Sequence, residues 1–271
     1  MHRFETEAPP SDGADRIERL PGTEREHLNA ERVSTAAANF LRRLRSLARL
    51  SGYPPERTRE EGDRQSQHAI GALLSQLHPA DPVLSEEAVD DPRRLSAQRV
   101  WIVDPLDGTR EFAEMDRSDW AIHVALAVDG VPVVGAVALP ALDELFSTRT
   151  PPPLPSPSAG RLRILVSRSR PPAFAGTLAG MLDADLVEMG SAGAKTMAVL
   201  KGEADAYVHD GGQYEWDSAA PVAVARAAGL HASRLDGSAL CYNQPRPWLP
   251  DQLVCLPSLA GRMLEALARC R

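Results

Sequence analysis

"WIVDPLDGTREF", residues 101–112, ends an apolar run with two carboxylates, Asp104 and Asp107, separated by Pro105 and Leu106 and followed by Gly108-Thr109. The run before it, "RVWIVD", reads as a buried strand that delivers Asp104 at its carboxyl end, where open α/β sheets hold ligands. Pro105 fixes its own φ and stiffens the turn, so Asp107 is held near Asp104. Two carboxylates this close repel, and the repulsion is relieved by a shared proton or a bound cation. Asp107-Gly108-Thr109 also has the pattern of a helix start, with Asp107 at the cap and the Gly108 and Thr109 amides facing an anion. Acids beside an anion pocket call for a metal between them, and an all-oxygen donor set suits Mg²⁺. A capped turn with an incidental second acid is the alternative that this stretch leaves open.

Strand signals surround this stretch: "PVLSE" before it, then "WAIHVALAV" and "VPVVGAVAL", joined by Asp129-Gly130 as a hairpin turn. Upstream, "EREHLNAERVSTAAANFLRRLRSLARL" carries Leu28, Val33, Ala36, Ala37, Phe40, Leu41, Leu44 and Leu47 at helical spacing, with Arg42, Arg43, Arg45 and Arg49 read as a solvated face. A second helix is predicted over "DRQSQHAIGALLSQL". These elements predict an α+β half over residues 23–150, behind a leader over residues 1–22. Residues 151–160 are too rich in Pro and Ser for a packed element and read as a connection. Beyond it "LRILVS", "DLVEM", "ADAYVH" and "QLVCL" alternate with helical segments, which predicts an α/β half over residues 161–271. The fold class expected is α/β.

The 271 residues are 43% hydrophobic, enough for a substantial core, and 37 acids against 30 Lys plus Arg give a net charge of −7. That balance argues against a nucleic-acid polymer or an anionic membrane as partner. The acidic, Pro-containing start does not resemble a secretory signal, no apolar run reaches the roughly 20 residues of a membrane helix, and a cytoplasmic location is expected. Cys241, Cys255 and Cys270 form no CxxC pair and read as reduced thiols.

Two further acidic places join the pair. "VLSEEA" ends a short strand with Glu86 and Glu87, and "YEWDSAAPVAV" starts a helix with Asp217. Alone, each has a plain structural explanation; together with Asp104 and Asp107 they suggest one acidic pocket built from both halves. His123 and His209 sit in strand patterns and read as packed or hydrogen-bonded side chains, not catalytic ones, and Ser191 has no evident His base in its segment.

"WIVDPLDGT" followed at a distance by "WDSAA" resembles the inositol monophosphatase family of magnesium-dependent, lithium-sensitive phosphatases. The "REF" after "DGT", "SEEA", "GSAGAK" at residues 190–195 and "EWDSAA" are most similar to its CysQ branch, the 3'(2'),5'-bisphosphate nucleotidases of sulfur assimilation. The resemblance runs from about Glu24 to the C terminus and implies a layered α-β-α-β-α sandwich. It implies that Glu86 and Asp104, with the Leu106 carbonyl, hold one Mg²⁺, that Asp104, Asp107 and Asp217 hold a second, and that a third can bind weakly. Asp63 in "EEGDRQS" takes the place of the family's upstream Asp, although the Ser-Pro-Val-Thr that usually precedes it is absent here. Thr109, hydrogen-bonded to Asp63, would orient and deprotonate the attacking water. Substrate would meet Gly108, Thr109, Gly190, Ser191, Lys195 and Asp217, with Lys195 facing a second phosphate and Arg168 and Arg170 as further cations. The implied reaction removes the 3'-phosphate of 3'-phosphoadenosine 5'-phosphate or of 3'-phosphoadenylyl sulfate; inositol 1-phosphate or fructose 1,6-bisphosphate hydrolysis is the alternative. A small phosphorylated nucleotide is the expected partner, and a homodimer is compatible with the resemblance.

Overall fold

Val33, Ala37, Leu41, Leu44 and Ala48 recur every three or four residues and form the buried stripe of helix α1, Thr23–Ser51. The computed structural model describes residues 23–157 and 160–270, so the expected leader over residues 1–22 lies outside the described residues. Leu28 and Leu47 fall off the stripe and are exposed. Helix α2, Pro55–Leu77, begins eight residues before the expected start. Pro55 occupies its first turn, where the missing N–H costs no hydrogen bond.

Five strands follow: β1 Val83–Ser85, β2 Arg99–Asp107, β3 Ala121–Val128, β4 Val131–Leu139 and β5 Glu144–Ser147. They form one sheet in chain order, parallel between β1 and β2 and antiparallel elsewhere. Asp129 and Gly130 make the two-residue turn between β3 and β4, both at positive φ. A five-residue helix α3, Thr109–Ala113, follows β2. The second sheet has the order β7-β6-β8-β10-β9, from β6 Leu162–Ser167, β7 Ala184–Met189, β8 Ala206–Tyr214, β9 His231–Ser233 and β10 Trp248–Cys255. Its helices are α4 Ala175–Leu182, α5 Ala192–Leu200, α6 Glu215–Ala227 and α7 Pro257–Cys270. The short strands β5 and β9 have no expectation behind them in the sequence.

Alternation along the strands sets the layers. Trp101 and Val103 of β2 face α1 and α2, together with Ile122 and Val124 of β3. Their neighbours Val100 and Ile102 face the other way, against Met197 of α5 and Val222 and Val224 of α6. The same two helices cover Leu165, Tyr207 and Val254 of the second sheet. That sheet's outer face, with Ile164, Val166 and Leu253, packs on Leu178 of α4 and Met263 and Leu267 of α7. The result is five layers, α-β-α-β-α, whose middle core is shared by both sheets.

Arg45 corrects the reading of the α1 arginines as a solvated face. Its guanidinium donates to the carbonyls of Phe112 (2.9 Å), Glu114 (2.7 Å) and Arg117 (2.7 Å) and lies 5.4 Å from the Trp120 ring. The planar fork closes off the end of α3 and the loop after it, a task that a point charge on a flexible stem performs poorly. Arg45→Ala should therefore lower stability by about 1.5–3 kcal/mol in chemical denaturation, with Arg45→Lys recovering little of it. An unchanged midpoint in both variants would remove this clamp from the argument.

Candidate active site

A bulge explains why the two aspartates of "DPLD" cooperate. Asp104 lies opposite His123 and Asp107 opposite Ala121, so three steps along β2 answer two along β3. The extra residue reverses the alternation and turns both carboxylates to one side. Pro105 lacks the N–H that a ladder would use, and its carbonyl accepts from Ser66 Oγ of α2 at 2.7 Å.

Each aspartate has one oxygen held by a backbone amide. Leu106 N donates to Asp104 Oδ1 (3.0 Å), Tyr214 N to Asp217 Oδ2 (2.7 Å), and Gly193 N to Asp107 Oδ2 (2.9 Å), where Ser191 Oγ–H adds a second bond (2.6 Å). Asp107 therefore ends a strand and does not cap α3. The cap is Gly108, whose φ of 85° suits glycine, and the expected helix-cap role of Asp107 is corrected accordingly. Asp217 is the third residue of α6.

Glu86, Asp104, Leu106, Asp107, Gly108, Thr109, Gly190, Ser191, Lys195 and Asp217 all line one cleft between the two sheets. Asp63 stands behind it, on α2, accepting from Thr109 Oγ1 at 3.2 Å, while the same hydroxyl lies 3.1 Å from the Leu106 carbonyl. Burial and mutual repulsion raise Glu86, Asp104 and Asp217 together. Burial, then Asp217 and Asp107, push Glu86 up to about 8; burial and Asp107 push Asp217 to about 7; Asp104 is raised well above its usual range by burial and Glu86. Asp63 is lifted to about 7 by burial and Glu87. Oxygen donors packed this way suit a divalent cation, whose charge removes the repulsion that raises them. Asp104, Asp107 and His123 form a buried group whose ligand atoms all lie within 4.8 Å of one another and could hold a metal.

The opposite wall is cationic. Lys195 is buried, and its Nζ donates to the carbonyls of Gly190 and Ser191, the latter at 2.9 Å, with Tyr207 beneath it at 5.0 Å. Burial lowers it to about 8. Arg168 pairs with Glu111 and Glu114, so its guanidinium is engaged. Arg170 lines the cleft, and among the described residues no carboxylate pairs with it. His209 and Gln213, both buried on β8, line the same end; Gln213 Nε2 donates to Tyr207 Oη at 2.8 Å and its Oε1 has no partner. Burial and Lys195 lower His209 to about 4, so it is neutral there. Gln213 escaped the sequence reading, as did Asp119, which accepts from Gly190 N at 2.6 Å and pairs with Arg117. Neither sits in a pattern that singles it out.

Comparison with known proteins agrees with this geometry. Residues 30–270 match the Inositol monophosphatase family. The chain belongs to that family. A protein of Mycobacterium tuberculosis named 3'-phosphoadenosine 5'-phosphate phosphatase is 51% identical over 217 residues, covering 77% of this chain and 81% of its own. One of the same name from Mycobacterium leprae is 45% identical over 247 residues, covering 87% and 90%. The crystal structure of CysQ from Bacteroides thetaiotaomicron superposes with a TM-score of 0.73 at 24% identity, over 88% of this chain and 99% of that one, a likeness of fold. The family is metal-dependent, in keeping with the cluster of acids. No helix among the described residues is long and apolar enough to cross a membrane.

The raised carboxylates fix the sign of a pH effect. Glu86 and Asp217 keep protons in the folded chain that the unfolded chain releases near its ordinary values of 4.5 and 3.8. Without metal, their contribution to stability is fully present below about pH 4 and is lost as pH rises through about 7 to 8. The melting temperature of chelated protein should fall across that window, and the gain on adding Mg²⁺ should grow with pH. A gain that shrinks towards high pH would contradict a cation among these acids.

Proposed function

We propose that this chain is a Mg²⁺-dependent phosphomonoesterase that removes the 3'-phosphate of 3'-phosphoadenosine 5'-phosphate, and of the sulfated parent nucleotide. The observation that carries the reading is one cleft with four carboxylates on one wall, Asp104 and Asp107 buried, Asp217 half-buried and Glu86 exposed, and on the other an arginine that pairs with no carboxylate among the described residues. The names of the mycobacterial relatives, at 51% and 45% identity, support the same substrate.

Glu86, Asp104, Asp107, Asp217 and the Leu106 carbonyl are the residues that would hold two Mg²⁺, or three with Asp63 nearby. Bound there, the cations neutralise phosphate oxygens and acidify a water. The rest falls to the protein. Thr109 Oγ1 accepts the proton of the attacking water as its own proton passes to the ionised Asp63 Oδ1, which burial and Glu87 make a stronger base by raising its pKa to about 7. The water oxygen bonds to phosphorus as the bond to the ribose oxygen breaks, and that oxygen takes a proton from solvent. Ser191 is not a nucleophile in this scheme, because its Oγ–H is committed to Asp107.

A bisphosphate also needs a cation away from the acids. The sequence reading gives that role to Lys195, but the Lys195 ammonium is bonded to loop carbonyls, and Arg170 is the better donor for the remote phosphate. Gly190, Ser191 and Lys195 then shape the cleft wall, while His209 and Gln213 offer neutral polar groups to the nucleoside.

Asp104→Asn removes a charge common to both cation positions and should nearly abolish phosphate release in a folded protein. Arg170→Ala should cut kcat/KM on the bisphosphate nucleotide by roughly ten- to a hundred-fold, the loss of one charge-assisted contact, and leave inositol 1-phosphate hydrolysis far less affected. Equal losses on both substrates, or a wild-type preference for inositol 1-phosphate or fructose 1,6-bisphosphate in the same panel, would replace this reading with a monoester or sugar phosphatase.

A further inference from the structure

Strands β6 and β8 run side by side and parallel, with Ile164 opposite Ala206 and Leu165 opposite Tyr207. The same count along both strands from those pairs brings Arg170 and Gly212 abreast, at the sheet end where parallel strands hold ligands. The Arg170 backbone is fixed there. Its N–H donates to Ser167 Oγ at 3.2 Å, and Pro171 follows, which keeps residue 170 out of the helical region. The side chain is exposed and lines the cleft. A long exposed side chain has many rotamers, so a guanidinium that meets a phosphate at one place needs a seat.

Gly212 is shaped to be that seat. It and Gly211 share a left-handed backbone, with φ of 76° at Gly211 and 79° at Gly212. They differ in what surrounds them. A Cβ on Gly211 would meet nothing within 4 Å, whereas on Gly212 it would lie 2.6 Å from Arg170 Nη1 and 3.4 Å from Cζ. Backbone conformation alone accounts for glycine at 211; at 212 the guanidinium also occupies the space that a side chain would take. We infer that Gly212 is a positioning residue that sets the specificity of the cleft for a second phosphate, because its bare backbone lets the Arg170 guanidinium lie against β8. The inference rests on the reading of Arg170 as the donor to that phosphate. A side chain at 212 displaces the end of a flexible arginine rather than the fold, and a misplacement of about 1 Å is enough to cost an oriented contact much of its effect.

The neighbouring glycine supplies the control, because alanine meets the same backbone strain at either position. Gly212→Ala and Gly211→Ala should lower the melting temperature by similar amounts. On 3'-phosphoadenosine 5'-phosphate, Gly212→Ala should lose roughly ten-fold in kcat/KM, mostly through KM, and Gly211→Ala about two-fold or less. On adenosine 3'-phosphate, which has the same leaving group and no second phosphate, both variants should stay within about two-fold of wild type. Added to Arg170→Ala, Gly212→Ala should bring no further selective loss, since both act on one contact. Equal behaviour of the two alanine variants, equal losses on both substrates, or a full further loss in the double variant overturns the inference. If Arg170→Ala alone shows no selective loss on the bisphosphate, the assignment of Arg170 to the second phosphate fails, and the inference falls with it. Should the alanine variants not fold, Gly212→Asn and Gly211→Asn carry the same comparison, because asparagine tolerates a positive φ and its side chain fills the same space.

Discussion

Repulsion among Glu86, Asp104, Asp107 and Asp217 is the constraint around which the rest of this structure is arranged. The four acids come from the ends of β1 and β2 and the first turn of α6, and among the described residues none of them pairs with a lysine or arginine. Burial makes their charges expensive, yet Asp104, Asp107 and Asp217 each surrender only one oxygen to a backbone amide. Asp104 and Asp107 bring ligand atoms within 4.8 Å of each other, a spacing that suits a divalent cation.

The acids stay in place because the surroundings are neutralised at a distance. Arg168 reaches across to Glu111 and Glu114, Arg117 pairs with Asp119, and Asp119 in turn accepts from Gly190 N. These pairs join α3 to the β6 and β7 ends of the second sheet without entering the acidic wall. Arg45 closes the other side of α3 from α1, through carbonyls. Lys195 belongs to the same logic: three carbonyls near the start of α5 take its charge, and the turn that presents Ser191 and Gly193 to Asp107 is thereby fixed.

Much of this was legible beforehand because it is local. The helical stripe of α1, the β3–β4 hairpin at Asp129-Gly130 and the alternation of strands and helices after residue 160 depend on period and turn chemistry within a few residues. Asp104, Asp107, Thr109, Glu86 and Asp217 were recognisable through a motif that concentrates carboxylates at element ends. What was misread concerns partners far along the chain. Arg45 has the look of a surface helix residue and donates 67 to 72 positions away. His123, by contrast, is the packed and hydrogen-bonded strand residue its pattern suggests, and the register that sets it opposite Asp104 adds that its ring lies beside Asp107.

The sequence by itself determined the identity of the acids, their placement at strand and helix ends, and the α/β class, because each follows from side-chain chemistry and short-range geometry. The tertiary structure alone decided that the bulge at Pro105-Leu106 turns Asp104 and Asp107 to one side, and that Lys195 is committed to carbonyls while Arg170 is left open to the cleft. Those outcomes depend on strand register and on the packing of α5 and α6 between two sheets, and such contacts join residues a hundred or so positions apart whose meeting no local pattern encodes.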